Sequence, residues 1–421
     1  MSATQRNWAT NIPFGAVNFH TPATVADVQK IVRGAAKVKV VGSRHCFNNI
    51  ADSTGDMIWL GGMDKRVVID AERQTATIDA GMTYVELCPI LHAAGWALRN
   101  MASLPQVTVM GACATATHGS GDGNGNLATA ISVLEMVTAD GEVVTLARAQ
   151  EGERFNGMVV ALGALGVVTK VTLDLVPAYQ MQQAIYEMMP LSQVYAHFDE
   201  IMGSAYSVSL FTNWQQPAVN QVWRKHVLSN GQAQSTEGEF FGAKVATVKH
   251  HPVDAFGADP CTEQNSVPGP WYERLPHFHI RSTLVGGDEL QTEYFVARHH
   301  AVDALKAVAQ LQPQMAPFLK LTEVRSMTGD NLWLSMAYGQ ETIGIHFSWH
   351  NRWPAVAQFL PVLEESLAPF QARPHWGKLF TMSPARVQSL YPKLADFQTL
   401  RRQLDPQGKF QNAYLEKYIG R

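Results

Sequence analysis

Residues 101–126 read MASLPQVTVMGACATATHGSGDGNGN, and between positions 110 and 125 almost no side chain is larger than that of valine. Such a run lets a ligand lie against the backbone. Gly111, Gly119, Gly121, Gly123 and Gly125 supply the φ freedom for tight turns, and successive backbone N–H groups in such turns form concavities that bind phosphate. Taken alone, the stretch also reads as a glycine-rich surface loop. The rest of the chain has to decide between them.

At 421 residues the chain is too long for one ordinary core, and two or three domains are expected. Hydrophobic residues make up 46% and charged residues only 16%, against about a quarter in a typical soluble protein. A large buried interior follows. The net charge of −3 comes with no Lys/Arg-rich face or run, so no nucleic-acid partner is expected. Residues 1–15 hold no apolar run of signal-peptide length, and nowhere do eighteen apolar residues follow one another. A soluble, cytoplasmic chain without membrane contact is expected; its oligomeric state stays open, and a monomer is compatible with the sequence. Cys46, Cys88, Cys113 and Cys261 are widely spaced and form no C-x-x-C pair, so neither a disulfide framework nor a thiolate zinc site is indicated. Cys88 and Cys113 read most simply as small core residues.

Before the small-residue stretch, TPATVADVQKIVRGA reads as an amphipathic helix capped near Thr21, with Pro22 in its first turn. Lys37 to Val41, KVKVV, reads as a strand delivering the loop GSRHCFNN at 42–49. The run RVVIDAERQTATIDAG reads as a hairpin turning at 71–74, and Thr83 with Glu86 has capping-box spacing for a helix that Pro89 should kink or displace. After the stretch, ISVLEMVTADGEVVTL is a second hairpin about Asp140-Gly141, and a β-branched strand runs to Pro177. From about 181 to 374, segments such as SVSLFTNW, FHIRSTLV, LKLTEVRSM and TIGIHFSWH alternate with VDALKAVAQLQ and WPAVAQFLPVLEESL. That texture implies an antiparallel sheet with helices on one face. Residues 227–270 read as an irregular polar loop, and the C-terminal segment returns to helix around a compact Asp-Pro-x-Gly turn.

Several residues can carry chemistry. His45 follows a strand in GSRHCF, where a histidine is more often a hydrogen-bonded surface residue than a functional one. Paired with the small-residue stretch, however, its loop gives two turns between which a dinucleotide can lie. Glu323 and Arg325 in LTEVRSM share a strand face and can hold vicinal hydroxyls, or form a plain salt-bridged surface. His346, Ser348 and His350 share another face among apolar residues, a polar row that needs partners. Lys378 lies between Trp376 and Phe380, where it can also snorkel to water. The pairs His250/His251, His277/His279 and His299/His300 lack carboxylate or thiolate companions at ligand spacing, so they read as surface and loop histidines and no metal is expected.

In combination, GSRHCFN, SLPQVTVMGACATATHGSGDGNGNLAT, ALGALGVVTKVTLDL, TEVRS, HFSW, PHWGK and DPQGKFQNAYL resemble an alditol oxidase, of the kind acting on xylitol, sorbitol and related polyols, within the vanillyl-alcohol-oxidase-type flavoproteins. The resemblance covers nearly the whole chain. It implies an α+β, two-domain FAD-binding (PCMH-type) fold with an inserted antiparallel-sheet-plus-helices substrate domain: residues 1–177 and 375–421 hold FAD, and residues 178–374 form the cap.

The resemblance further implies covalent FAD on His45. It implies a single histidyl link, because residues 102–104 read Ala-Ser-Leu where some relatives carry a second, cysteinyl bond. Cofactor contacts are expected from Val41, Gly42, Ser43, Arg44, Cys46, Ser103, Thr108, Gly111, Ala112, Cys113, Ala114, Thr117, His118, Gly119, Val168 and His375. Ser103, Glu323, Arg325, Ser348 and Lys378 are expected to bind substrate. Lys378 and His346 are expected around the reacting oxygen, which of them takes the proton being left open. The product is an aldose, with hydride passing to flavin N5 and O₂ reduced to hydrogen peroxide. Two departures from the family pattern, Ser348 in place of threonine and Gln106 in place of histidine, bear on chain-length preference. Competing readings are a sugar-lactone oxidase or dehydrogenase of the same group, and a non-catalytic flavin- or polyol-binding protein.

Overall fold

The computed structural model describes residues 5–420 except 232, 234, 284 and 285 and the side chain of Asn230. The first helix, Val25–Gly34, begins one turn later than the Thr21 cap implied, because its cap is Thr24. The reason is reciprocal bonding: Thr24 Oγ1 accepts Asp27 N–H at 3.1 Å, and Asp27 accepts Thr24 N–H at 3.0 Å. Thr21 has no acid three residues on. The Thr83–Glu86 box caps Tyr84–Ala93 as expected, and the helix runs through Pro89 without a change of start.

Both hairpins form. Val67–Asp70 with Thr75–Asp79 and Ile131–Val137 with Val143–Ala147 join Val167–Asp174 in a five-stranded antiparallel sheet, Val167–Asp174 lying at its centre. Beside it, Asn18–His20, Asp56–Trp59 and Val38–Val41 make a small parallel sheet. The C-terminal segment lies against this part of the chain: Val38 N–H donates to Lys409 O at 3.0 Å, and Asn412 Nδ2 caps the carbonyls of Asn49, Ile50 and Asp52.

The larger sheet has ten strands among the described residues. Its central order is Gln180–Pro190, Ala218–Val227, Ser207–Thr212, Leu319–Met327, Thr342–His350, Glu289–Ala297 and Arg373–Pro374, all antiparallel neighbours. One face carries the helices Ala301–Gln310 and Trp353–Leu367; Tyr294, pointing to that side, donates to Glu364 at 2.8 Å. The other face is the polar one described below.

The expected strand FHIRSTLV does not form: Phe278 makes one isolated bridge to Cys261, residues 279–283 are turn and coil, and Leu284 and Val285 lie outside the described residues. Its backbone groups are spent elsewhere. Gln106 Nε2 holds the carbonyls of His279 and Ser282 at 3.2 and 2.9 Å, and Ser103 O accepts the amides of His277 and Phe278. The strand forms instead over Glu289–Ala297. No helix among the described residues is long and apolar enough to cross a membrane.

Candidate active site

The small-residue stretch folds as a short helix, Val109–Ala114, followed by turns. Of its five glycines only Gly121 lies at positive φ, 130°, so backbone freedom is not why the others are glycine. Close approach explains two of them. A Cβ on Gly111 would stand 2.5 Å from Thr108 Oγ1, and one on Gly119 would stand 2.1 Å from Asn100 Oδ1. Ala112 N–H is already bonded to Thr108 O at 3.0 Å, so this amide is not free to hold a phosphate.

Opposite that helix lies the His45 loop. A Cβ on Gly42 would sit 2.2 Å from Thr108 Oγ1, so the two loops approach to a distance only glycine permits, and Thr108 Oγ1 remains buried without a partner. Between them opens a cavity of about 500 Å³, continued by a second of about 130 Å³ that shares Val41, Gly42, Cys46, Thr108 and Gly111 as walls. The first is also lined by Ser43, Arg44, His45, Ala102, Ser103, Ala112, Thr117, His118 and His375, and the second by Ala114 and Val168. Cys113 and Gly119 line neither: the Cys113 thiol is wholly buried beside Tyr84, and Gly119 packs on Asn100 and Met101. Gln106 is likewise absent from both linings, being occupied with the 279–282 backbone.

His45 stacks on Trp8, with centroids 4.9 Å apart and planes at 21°. Its Nδ1 meets Ser43 O at 3.1 Å, while Nε2 is buried without a partner. Burial lowers its pKa to about 4, so the ring is neutral at physiological pH with a lone pair available on one nitrogen.

The far wall of the cavity is the open face of the large sheet. Cross-strand pairing sets Phe211, Glu323, His346 and Glu293 in one row and Ser209, Arg325, Gly344 and Phe295 in the next. Pairing across adjacent strands puts the members of each row on the same face, which brings Glu323, Arg325 and His346 together. Gly344 leaves room in the second row: an added Cβ would stand 3.2 Å from Glu293 Oε1 and 3.4 Å from His118 Cε1.

Lys378 arrives from another direction. The 375–379 segment is fastened to the 289–297 strand by His375 N–H to Glu293 O at 3.0 Å and Leu379 N–H to Gln291 O at 2.9 Å. It is fastened to the His45 loop by Phe47 N–H to Gly377 O at 2.8 Å and by Asn48 Nδ2 to the carbonyls of Trp376 and Lys378. The lysine therefore does not snorkel. Its Nζ lies 2.6 Å from Glu293 Oε2 and 2.7 Å from His346 Nδ1.

Glu293, which sequence reasoning missed, stands at the centre of this network. Its other oxygen takes Arg325 Nη2 at 3.0 Å and faces His118 Nε2 at 3.1 Å, with the side chain wholly buried. Burial pushes its carboxyl up, but Lys378, His118 and Arg325 more than reverse this and hold it well below the usual carboxylate range. A signal was present: in ELQTEYFVA, Glu289, Gln291 and Glu293 recur at period two.

Arg325 extends the network to Ser103 Oγ at 3.0 Å and, through Nε, to Glu323 Oε1 at 3.4 Å. Glu323 Oε1 is also held by His277 Nε2 at 2.7 Å, and His277 Nδ1 in turn faces buried Lys225 at 3.4 Å. His277 is thus no surface residue. Burial first, then Lys378, lowers the His346 pKa to about 3, and burial lowers that of His277 to about 4, so both rings are neutral. Burial lowers the Lys378 pKa also, with Glu293 opposing and Arg325 assisting. Ser348 Oγ is bonded to Glu289 Oε2 at 2.7 Å, which makes Glu289 a second missed residue of the lining, and His350 is exposed at the strand end. Among the described residues no group of histidine, cysteine, aspartate and glutamate is arranged to hold a metal ion.

The chain is similar to several known proteins. An FAD binding domain family model matches residues 18–147, and a D-arabinono-1,4-lactone oxidase model matches residues 288–418. An alditol oxidase of Streptomyces sp. is 43% identical over 422 residues, covering 100% of both chains. The L-gulonolactone oxidase of Mus musculus is 26% identical, covering 98% of this chain and 97% of its own. Among solved structures, a cholesterol oxidase from B. sterolicum superposes with a TM-score of 0.79 at 13% identity, over 99% of this chain and 96% of that one, a likeness of fold.

Proposed function

The chain belongs to the alditol oxidase family of FAD flavoproteins, and we propose that it oxidises the terminal primary alcohol of an alditol such as xylitol or sorbitol to the aldose. The observation that carries this reading is the polar wall of the cavity, where Glu323, Arg325, His346, Ser103 and Lys378 converge from two strands and two loops. Buried polar groups so arranged are costly unless a ligand uses them. Residues 1–177 with 375–421 form the cofactor part in this reading, and residues 178–374 the substrate part.

The residues present fit FAD. Gly42 and Gly111 close on Thr108 from the two loops, leaving its buried hydroxyl unpartnered in the cavity wall, and His45 offers a buried ring nitrogen with no partner. His45 would carry the one covalent link; no cysteine stands at 102–104 to add a second. FAD, when bound, supplies the hydride acceptor and passes the electrons to O₂, with hydrogen peroxide as product.

The protein's own part is to orient the polyol and to move one proton. His346 accepts a hydrogen bond from Lys378 at Nδ1, so its Nε2 carries the hydrogen and donates to the substrate's C1 oxygen. With a pKa near 3 it is a weak base. Lys378, lowered from the ordinary lysine value by burial, is the better acceptor of the C1 hydroxyl proton. Glu323 and Arg325 bind hydroxyls further along the chain, each charged hydrogen bond contributing about 1.5–3 kcal/mol. Ser103, whose Oγ accepts from Arg325, keeps its own hydrogen for a substrate oxygen. Glu289, held by Ser348, and Gln291 lie beyond His346 in the lining and meet the far end of longer polyols.

A sugar-lactone oxidase is the second reading, favoured by the lactone-oxidase model over residues 288–418. Peroxide release on xylitol and sorbitol, compared with gulono- and galactono-lactones and with a dye acceptor as control, separates them. Turnover of the alditols with little on the lactones is expected; the reverse order overturns the proposal.

A further inference from the structure

Lys378 has to present one particular direction to the substrate, and the geometry around it decides which. The side chain enters a wall where Glu293, His346, Arg325, Glu323 and His118, from four separate segments, and His375, from its own, all face it. Two of these touch its nitrogen: Glu293 Oε2 at 2.6 Å and His346 Nδ1 at 2.7 Å. Neither is free to move away. Glu293 is pinned by Arg325 and His118 on its other oxygen, and His346 stands next to it in the cross-strand row.

We propose that Glu293 is a positioning residue for proton transfer: by accepting one N–H of Lys378 while His346 accepts another, it aims the remaining tetrahedral position of the amine into the cavity. This rests on the functional reading above. A neutral amine has two N–H groups and one lone pair. With both N–H groups engaged, the lone pair is the position left to face the substrate. When the C1 hydroxyl bond breaks, its proton becomes the third N–H of Lys378, and the amine becomes an ammonium beside the Glu293 carboxylate. The C1 hydride leaves with its electron pair to the acceptor already named, so the substrate carbon ends as a carbonyl.

Glu293 also sets the proton affinity of this lysine. Its negative charge favours the ammonium form, opposing burial and Arg325, with Glu323 adding a smaller pull in the same direction. Glutamine cannot replace it. One side of the carboxylate meets Lys378 and the other meets Arg325 and His118, so an amide NH₂ would face a donor whichever way it turned. Loss of the charge should shift the lysine toward the neutral form at lower pH and at the same time misaim it. Glu293 itself has no exposed side-chain surface, so substrate binding should change little.

The test is the anaerobic rate of flavin reduction by xylitol in the holoenzyme, followed against pH for wild type, Glu293→Gln and Glu293→Asp. In wild type the rate should rise as Lys378 loses its proton. In Glu293→Gln the rising limb should move to lower pH by about 1–3 units, the range for one neighbouring charge, with the plateau reduced at least tenfold and the xylitol KM within about threefold of wild type. Glu293→Asp keeps the charge but withdraws it from the amine, so its plateau should fall while the limb stays near the wild-type position. A limb unmoved in Glu293→Gln, or a loss confined to KM, overturns the proposal. Should Glu293→Gln fail to fold, Glu293→Asp decides alone, an unchanged plateau overturning the proposal and a lowered one at constant KM upholding it. Failure of xylitol to reduce wild-type flavin overturns both this inference and the functional reading. Wild-type reduction with unshifted variants overturns the inference only.

Discussion

Gly344→Ala adds one methyl group where the two polar rows meet. Its Cβ would stand 3.0 Å from Phe295 Cε1, 3.2 Å from Glu293 Oε1 and 3.4 Å from His118 Cε1. None of the three can swing into solvent: their exposures are 0%, 1% and 2%. Phe295 and Glu293 have to give by a few tenths of an ångström, while His118 is left at ordinary contact distance. Overpacking of this kind costs about 1–3 kcal/mol. The displacement falls on the carboxylate that Arg325 holds at 3.0 Å and Lys378 at 2.6 Å, so chemistry suffers as well as stability. A misplacement of about 1 Å can cost ~10²-fold in rate; a shift of a few tenths should cost about tenfold. Thermal unfolding of the holoprotein reads the first effect, and anaerobic flavin reduction by xylitol the second. The expected result is a lower Tm together with a slower reduction at nearly unchanged KM. A variant with wild-type Tm and rate would mean that this wall absorbs a methyl freely, and the tight Arg325–Glu293–Lys378 geometry would then not govern the reaction.

His45→Ala removes the unpartnered ring nitrogen and its stack on Trp8. Acid-precipitated wild type should stay yellow while this variant releases its flavin to the supernatant; free flavin from the parent would refute the link. Acid should also destabilise the fold through Glu323 and Glu293. Both have folded pKa values depressed below the ordinary 4.5, so the stability they contribute is complete above about pH 4.5 and is withdrawn as the pH falls below it toward the depressed values. Glu323→Gln should therefore flatten the acid limb of a denaturant-midpoint profile, and an unaltered limb would show that this carboxylate is not among the groups that set it.

Much of this was legible in the sequence where local chemistry decides the outcome. The Thr83–Glu86 box, the Asp140-Gly141 turn and the alternation in LTEVRSM and TIGIHFSWH each specify an element without help from distant residues. The strand choice between FHIRSTLV and ELQTEYFVA was not so specified. Both have strand-forming residues, and the deciding contacts come from Ser103 and Gln106, over 150 residues earlier in the chain, which take the 277–282 backbone for themselves. With that strand went Glu293, whose role depends on partners at positions 118, 325, 346 and 378 that no local pattern joins. His277 was missed for the same reason: beside His279 it looks like a loop histidine, and only the fold brings Glu323 to 2.7 Å from its ring. Residues 101–126 read as a place where a ligand touches the backbone and glycine supplies φ freedom, whereas in the fold Gly111 and Gly119 are small to admit Thr108 and Asn100, and neither reaches an unusual φ.

The central claim is that the wall of Glu323, Arg325, His346 and Lys378 presents an alditol's terminal carbon for hydride abstraction while the hydroxyl proton passes to the protein. It is tested most directly by mixing the oxygen-free holoenzyme with xylitol, and with xylitol deuterated at its terminal carbons, and following the flavin absorbance. The expected result is full bleaching, slower with the deuterated substrate. Flavin that stays oxidised with every alditol offered would contradict it.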